Sequence, residues 1–291
     1  MRFAVTATQT NIGSRLPFVF QGPFSETFPK IKACGFDQVE IHLRDSSCID
    51  RVALKRLLDA HDLDVCSIGT GEAYSVDRLF LSSDDQAVRE QAIQRVKEHL
   101  VTASYFNDAV VIIGLLRGNI KDCSSRQAFE ANLRTSLEEC LDSAETEKQT
   151  LVIELINRYE ADFLHTIEEG LAFISSFNSP YLKLHIDSFH MNIEECNVRK
   201  AILKAGPAIG HVHVSDNDRM YVGHGHFDFG LFFSALQEAG YRGAVAIESL
   251  QGPDAVTSAT HSLSNMKKCL ALATCPDDTD SKEGVRWQRR V

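Results

Sequence analysis

Four short apolar runs in the second half of the chain each end on a residue that can bind a metal ion. They are Leu151-Val152-Ile153-Glu154, Leu184-His185-Ile186-Asp187, His211-Val212-His213 and Val245-Ala246-Ile247-Glu248. Read as β-strands, they alternate their side chains between two faces, so each terminal residue emerges on a defined side. Any one of the four has an ordinary explanation as a solvated strand-end carboxylate, an ion-pair partner or a hydrogen-bonded core histidine. As a set they need another, because three converging carboxylates repel one another unless a cation or protons neutralise them. Three oxygen donors and one nitrogen form a hard-to-borderline site that suits Mn2+, Mg2+ or Co2+, with Zn2+ or Fe2+ as further options. The set Glu154, Asp187, His213 and Glu248 thus predicts one divalent metal ion, Mn2+ being the first choice.

These residues need elements to position them. Apolar, β-branched runs recur at Arg2 to Ala7, Asp37 to Leu43, Asp64 to Gly69, Ala109 to Gly114, Thr150 to Glu154, Leu182 to Asp187, Gly210 to Val214 and Ala244 to Glu248. Helical periodicity fills the intervals: Phe24 to Ala33, Val52 to His61, Val88 to Leu100 behind a Ser83-to-Gln86 capping box, Arg126 to Ala144, Ala161 to Phe177, Glu194 to Ala205, Phe229 to Ala239 and Ala255 to Leu272. Eight strand-then-helix units predict an α/β fold, the single-domain (β/α)8 TIM barrel, over residues 1–273, with an open doubly wound sheet as the runner-up. Barrel active sites form where strands end at the carboxyl face, which is where the four residues stand. Residues 274–291 lose periodicity, are rich in charge and read as a loosely ordered tail carrying Trp287.

Three further residues fall on the same rim: Glu160 beyond the fifth strand, His190 three residues past Asp187, and Arg219 after the seventh strand, where it could offer paired hydrogen bonds to substrate oxygens. Their plain readings are a surface charge, a helix-cap histidine and a surface salt bridge. Arg117 could meet a phosphate or carboxylate, although an ion-paired loop arginine is the simpler reading. Lys183 lies early in its strand and reads as a packed structural lysine.

The formal net charge of −10 repels phosphate backbones and anionic membranes, so nucleic acid and membrane partners are not expected. With 44% hydrophobic and 24% charged residues the composition is that of a soluble globular protein. The chain shows no membrane-length apolar run and no signal-peptide pattern, and its eight scattered cysteines fit free thiols, which together suggest a cytoplasmic location.

Three segments together resemble the xylose-isomerase-like sugar isomerase/epimerase superfamily, and within it the D-tagatose and D-allulose (ketose) 3-epimerases. They are Glu154-Leu-Ile-Asn157-Arg158-Tyr159-Glu160, Asp187-Ser-Phe-His190-Met191-Asn192, and His213 with Arg219. Gly35-Phe36-Asp37-Gln38-Val39-Glu40-Ile41 also suits the superfamily's second strand. The resemblance implies that Glu154, Asp187, His213 and Glu248 hold the metal and that Glu154 and Glu248 act as the acid/base pair. It further implies substrate contacts at Glu160, His190 and Arg219, a small sugar or sugar phosphate as substrate, and a homodimer or homotetramer. Two segments depart from the epimerase pattern. Gly114-Leu115-Leu116-Arg117-Gly118 stands where epimerases tend to place aromatic contacts, and Asp216 to Asp228 looks more like the wider sugar-phosphate isomerases.

The activity this implies is proton transfer through a cis-enediolate, epimerising a ketose at its third carbon. Aldose–ketose isomerisation of a sugar phosphate or sugar acid would use the same groups. An apurinic-site endonuclease shares the barrel and similar ligands but conflicts with the acidic balance. A Schiff-base aldolase would need Lys183, and an inactive sugar-binding barrel would not need all four candidate ligands.

Overall fold

The computed structural model describes residues 1–11, 16–107 and 109–274. Eight parallel strands follow in order: Arg2–Thr8, Gln38–His42, Asp64–Gly69, Val110–Ile113, Thr150–Glu154, Leu182–Asp187, Ile209–Val214 and Ala244–Ile247. Each pairs with the next, and the first pairs with the last from Arg2↔Ala244 to Val5↔Ile247, which closes the sheet into a barrel. A two-residue strand, Phe20–Gln21, adds to the end of the first strand through Ala7↔Phe20. The predicted TIM barrel is the observed fold.

The outer helices are Phe24–Ala33, Arg51–Ala60, Gln86–Ala103, Arg126–Glu147, Ile167–Ser175, Val198–Ala205, Phe229–Glu238 and Ala255–Thr274. Side chains cap several of them: Asp50 accepts from Ala53 N, Ser125 from Ala128 N, Asn197 from Lys200 N and Asp228 from Leu231 N. Three sequence expectations shift. The cap expected at Ser83 is made by Asp85, which accepts from Ala87 N. The helix expected from Ala161 starts at Ile167, because Thr166 and Glu169 form a capping box there. The helix expected from Glu194 is split into Ser188–Glu194, capped by Asp187, and Val198–Ala205. The last helix extends to Thr274, one residue into the expected tail, and residues 275–291, with Trp287 and Cys275, lie outside the described residues.

The main apolar core lies between the sheet and the helices, with Phe28, Ile41, Ile68, Leu133, Ile153, Leu184, Phe232 and Ile247 at no exposure. The strands also bury polar groups: Thr6, Glu40, Ser67, His185, His211 and His213 are each at most 1% exposed. Polar groups at such depth call for hydrogen-bond partners, which Glu40 supplies to Ser67, His211 and His213, whereas the ring nitrogens of His185 have none among the described residues. Among the described residues no helix is long and apolar enough to cross a membrane, and seven cysteines are free.

Candidate active site

The carboxyl face of the barrel brings the four strand-end residues together. Glu154 and Asp187 close their strands, His213 precedes the end of the seventh, and Glu248 stands one residue beyond the eighth. The ladder sets neighbours side by side, with Asp187 opposite His213 and Glu154 opposite His185. One donor atom from each of Glu154, Asp187, His213 and Glu248 lies within 4.8 Å of the others, a possible metal site. Gly114, just past the fourth strand, leaves space for Glu154, since a Cβ there would collide with Glu154 Oε2.

Beneath this cluster lies Glu40, fully buried in the second strand. Its carboxylate accepts from His42 Nε2 at 2.7 Å, Ser67 Oγ at 2.5 Å, His211 Nε2 at 2.7 Å and His213 Nε2 at 2.8 Å. Burial pushes its pKa upward, but the His213 charge and the histidine hydrogen bonds outweigh it and hold Glu40 well below the usual carboxylate range. For His213 the same contest runs the other way. Burial disfavours its charge, yet Glu40 and Glu248 raise its pKa well above the ordinary histidine value. With Nε2 bound to Glu40, His213 Nδ1 faces Glu248 Oε2 at 3.3 Å and has no hydrogen-bond partner among the described residues. A buried ring nitrogen left over, opposite a carboxylate that fixes the other nitrogen, is the usual arrangement of a metal-binding histidine.

Arg219 supplies a second positive charge in this arrangement. Its Nη1 donates to Asp187 Oδ2 and its Nη2 to Glu248 Oε2, while Ser215 Oγ accepts at 3.0 Å. The sequence suggests that this guanidinium would serve substrate oxygens, whereas here two carboxylates hold it. Burial would lower the Arg219 pKa, but Asp187 and Glu248 raise it; in return Glu248, which burial would raise, is held low by His213 and Arg219. The residue adopts a left-handed φ of +63°, which the two ion pairs and the Phe189 ring 4.8 Å below its Cζ compensate.

His190 is buried, and its Nε2 lies 3.7 Å from Glu154 Oε1 and 4.0 Å from Asp187 Oδ2. Asn157 fixes its tautomer. The Asn157 oxygen accepts from Tyr159 N, so its amide nitrogen donates both to His190 Nδ1 at 2.7 Å and to Glu160 Oε1 at 2.8 Å. That leaves the proton on Nε2, facing the carboxylates. Glu154, Glu160, His190, His213, Arg219 and Glu248 all line one cavity of about 130 Å³.

Two other sequence candidates fall elsewhere. Arg117 is not an exposed loop arginine, and among the described residues it is in no ion pair. It is fully buried, its Nη1 donating to the Glu154 carbonyl at 2.5 Å and its Nη2 to the Phe163 carbonyl at 2.6 Å. Burial lowers its pKa to about 10, with Glu154 and Asp162 opposing. Lys183 lines a separate cavity at the opposite, amino-terminal end of the strands, with Gly210 and Arg242, and so does not enter the cavity that Glu154 and Glu248 line.

Comparison with known proteins places the chain in a family. The family described as xylose isomerase-like TIM barrel matches residues 28–290. The chain belongs to that family. Relatives within reach of this xylose isomerase-like barrel include an L-ribulose 3-epimerase of Methylomonas sp. (strain DH-1), 34% identical over 219 residues, which are 74% of each chain. A ketose 3-epimerase of Arthrobacter globiformis is 33% identical, with 76% of this chain and 75% of the relative covered. The crystal structure of a D-allulose 3-epimerase from Methylomonas sp. superposes with a TM-score of 0.79 at 26% identity, covering 93% of this chain and 98% of the other. The resemblance read from the motifs is borne out at the level of the family.

Sequence reasoning about this xylose isomerase-like barrel did not single out Glu40, His42 or Gly114 as site residues. The signal for Glu40 was a charged residue flanked by Val39 and Ile41 inside an apolar strand, a position that demands buried partners. Asn157 stood within a motif but carried no role of its own, and only the hydrogen-bond geometry gives it one.

Proposed function

We propose that this barrel is a divalent-metal-dependent ketose 3-epimerase. The observation that carries the reading is the convergence of two carboxylates, Glu154 and Glu248, on the same point as Asp187 and His213. The names of the relatives, L-ribulose 3-epimerase and ketose 3-epimerase, support the reaction class. The donor set fits a divalent ion: carboxylate oxygens and the unpartnered His213 Nδ1, all within 4.8 Å of one another. Such an ion, held by Glu154, Asp187, His213 and Glu248, supplies Lewis-acid stabilisation of negative charge on neighbouring sugar oxygens.

The protein's own groups move the proton. One of Glu154 and Glu248, as a carboxylate, takes the proton from the third carbon of the ketose, leaving a cis-enediolate; the other, entering the step as the carboxylic acid, gives its proton to the opposite face of that carbon, and proton exchange with solvent resets the pair. The His190 Nε2–H donates to an oxygen near the carbonyl end, while Glu160 accepts from a hydroxyl and Arg219 steadies the developing charge. Arg219 is the one Lys or Arg among the described residues lining the cavity, and two carboxylates already bind it. With no second Lys or Arg among these residues beside the guanidinium that serves the reacting oxygens, the lining favours an unphosphorylated ketose over a phosphate dianion. Manganese as the ion, a homodimer or homotetramer and a cytoplasmic location complete the proposal on the strength of the family resemblance.

The test is incubation with free ketoses and Mn2+ in deuterated water, followed by NMR. Deuterium should appear at the third carbon of both epimers, chelation should stop it, and added Mn2+ should restore it. Epimerisation without any solvent deuterium would overturn the mechanism.

A further inference from the structure

We infer that His42 is a further substrate-contacting residue, whose ring Nδ1 accepts a hydrogen bond from a hydroxyl group of the bound sugar. The inference rests on the ketose reading above and adds to it a contact on the side of the cavity opposite the motifs that carry the family resemblance, in the second strand rather than the fifth to eighth.

The geometry leaves His42 one free polar atom. Its Nε2 lies 2.7 Å from Glu40 Oε1, and Glu40 is ringed by donors from Ser67, His211 and His213 as well. A carboxylate among four donors is ionised and only accepts, so the proton between the two sits on Nε2. In the neutral ring that leaves His42 Nδ1 as a lone-pair acceptor. It is buried, in a residue only 5% exposed, and has no hydrogen-bond partner among the described residues. Native structures seldom leave a buried acceptor unmet unless a ligand or water meets it.

The ring is also held in place. Phe18 packs on it with centroids 4.1 Å apart, and on another side the bare Cα of Gly69 approaches so closely that a Cβ there would overlap Nδ1 and Cε1. Phe18, Gly69 and His42 line the same cavity as Glu154, His190 and Glu248. Glu40, His42 and Glu248 moreover each offer an atom within 4.8 Å of the others, which puts His42 beside one of the two proposed proton carriers. A fixed acceptor at that place suits a neutral polyhydroxy compound, whose hydroxyl groups each bring a donor.

The experiment compares L-ribulose or D-allulose, whichever turns over in the exchange screen, with its monodeoxy analogues, on wild-type protein, His42→Leu and His42→Gln. His42→Leu should lower kcat/KM about tenfold, the size of one lost hydrogen bond. One deoxy analogue should lose the same factor on wild-type protein and lose nothing further on His42→Leu, while bound metal stays at one equivalent with unchanged affinity. If His42→Leu melts below the assay temperature, His42→Gln, which keeps a donor for Glu40, carries the same comparison. Losses on the variant that simply add to those of every deoxy analogue, or no loss at all, would overturn the contact. So would a second equivalent of metal on wild-type protein that His42→Leu abolishes, since His42 would then be a ligand. Wild-type protein inert towards every ketose would fail the epimerase reading itself, whereas active wild type with indifferent variants fails this contact alone.

Discussion

Replacing Gly114 with alanine asks how much the reaction depends on where Glu154 stands. A Cβ on residue 114 would run into Glu154 Oε2, with Glu154 Cδ at 3.7 Å and Ile156 Cδ1 at 3.9 Å beyond it. Ordinary contact between such atoms is roughly 3.5 Å, so the carboxylate has to retreat by about 1 Å. A misplacement of that size at a reacting group costs on the order of 100-fold in rate, or about 2.7 kcal/mol of transition-state stabilisation. Metal affinity should fall as well, because the same carboxylate is one of the four converging donors. Gly71→Ala provides the control: Gly71 lines the same cavity, but a Cβ there meets nothing within 4 Å. The assay is steady-state epimerisation at saturating Mn2+, with calorimetric metal titration and thermal melting on both variants. Gly114→Ala should be about 100-fold slower than Gly71→Ala with a similar melting temperature. Equal rates for the two variants would refute the argument that Glu154 must occupy its observed place.

Arg117→Met should destabilise the protein by about 3 kcal/mol in urea unfolding, because the carbonyls of Glu154 and Phe163 lose charge-assisted donors in a buried setting; a change under about 1 kcal/mol would show that the arginine is dispensable to the strand end. Metal affinity should climb with pH. His213 is buried, which disfavours its charge, but Glu40 and Glu248 raise its pKa, so the metal-free protein carries a proton there that the ion has to expel. Below that raised pKa, affinity should increase about tenfold per pH unit, and titration in buffers of different ionisation enthalpy should show about one proton released. Glu248 is held below the usual carboxylate range and so adds no competing proton near neutrality. A pH-independent affinity would contradict the His213 assignment.

The barrel was legible because each strand is an apolar run long enough to recognise, and because Glu154, Asp187, His213 and Glu248 end or follow such runs in a repeating way. Equivalent positions on parallel neighbours must meet at one end, so their convergence was readable too. What local pattern does not encode is the far partner. Nothing near Arg117 in the chain announces that its donors reach the carbonyls of residues 154 and 163, and the nearby loop chemistry suggests an ion-paired loop arginine instead. Helix starts shifted for a related reason: apolar periodicity continues back to Ala161, but the cap at Thr166 decides where hydrogen bonding begins. Arg219 was placed correctly at the rim, while its pairing with Asp187 and Glu248 depends on the electrostatics of a crowded site rather than on its sequence neighbours.

The hydrogen bonds from His211 and His213 to Glu40 join residues 171 and 173 positions apart along the chain. An imidazole steadied from so far away stays loosely oriented until the opening segments of the polypeptide have found the closing ones. A fragment lacking its first quarter would carry every strand-end ligand and still present His213 poorly. Tight capture of the ion then becomes a readout of a completed ring, and a half-built protein is kept from doing chemistry before its assembly is finished.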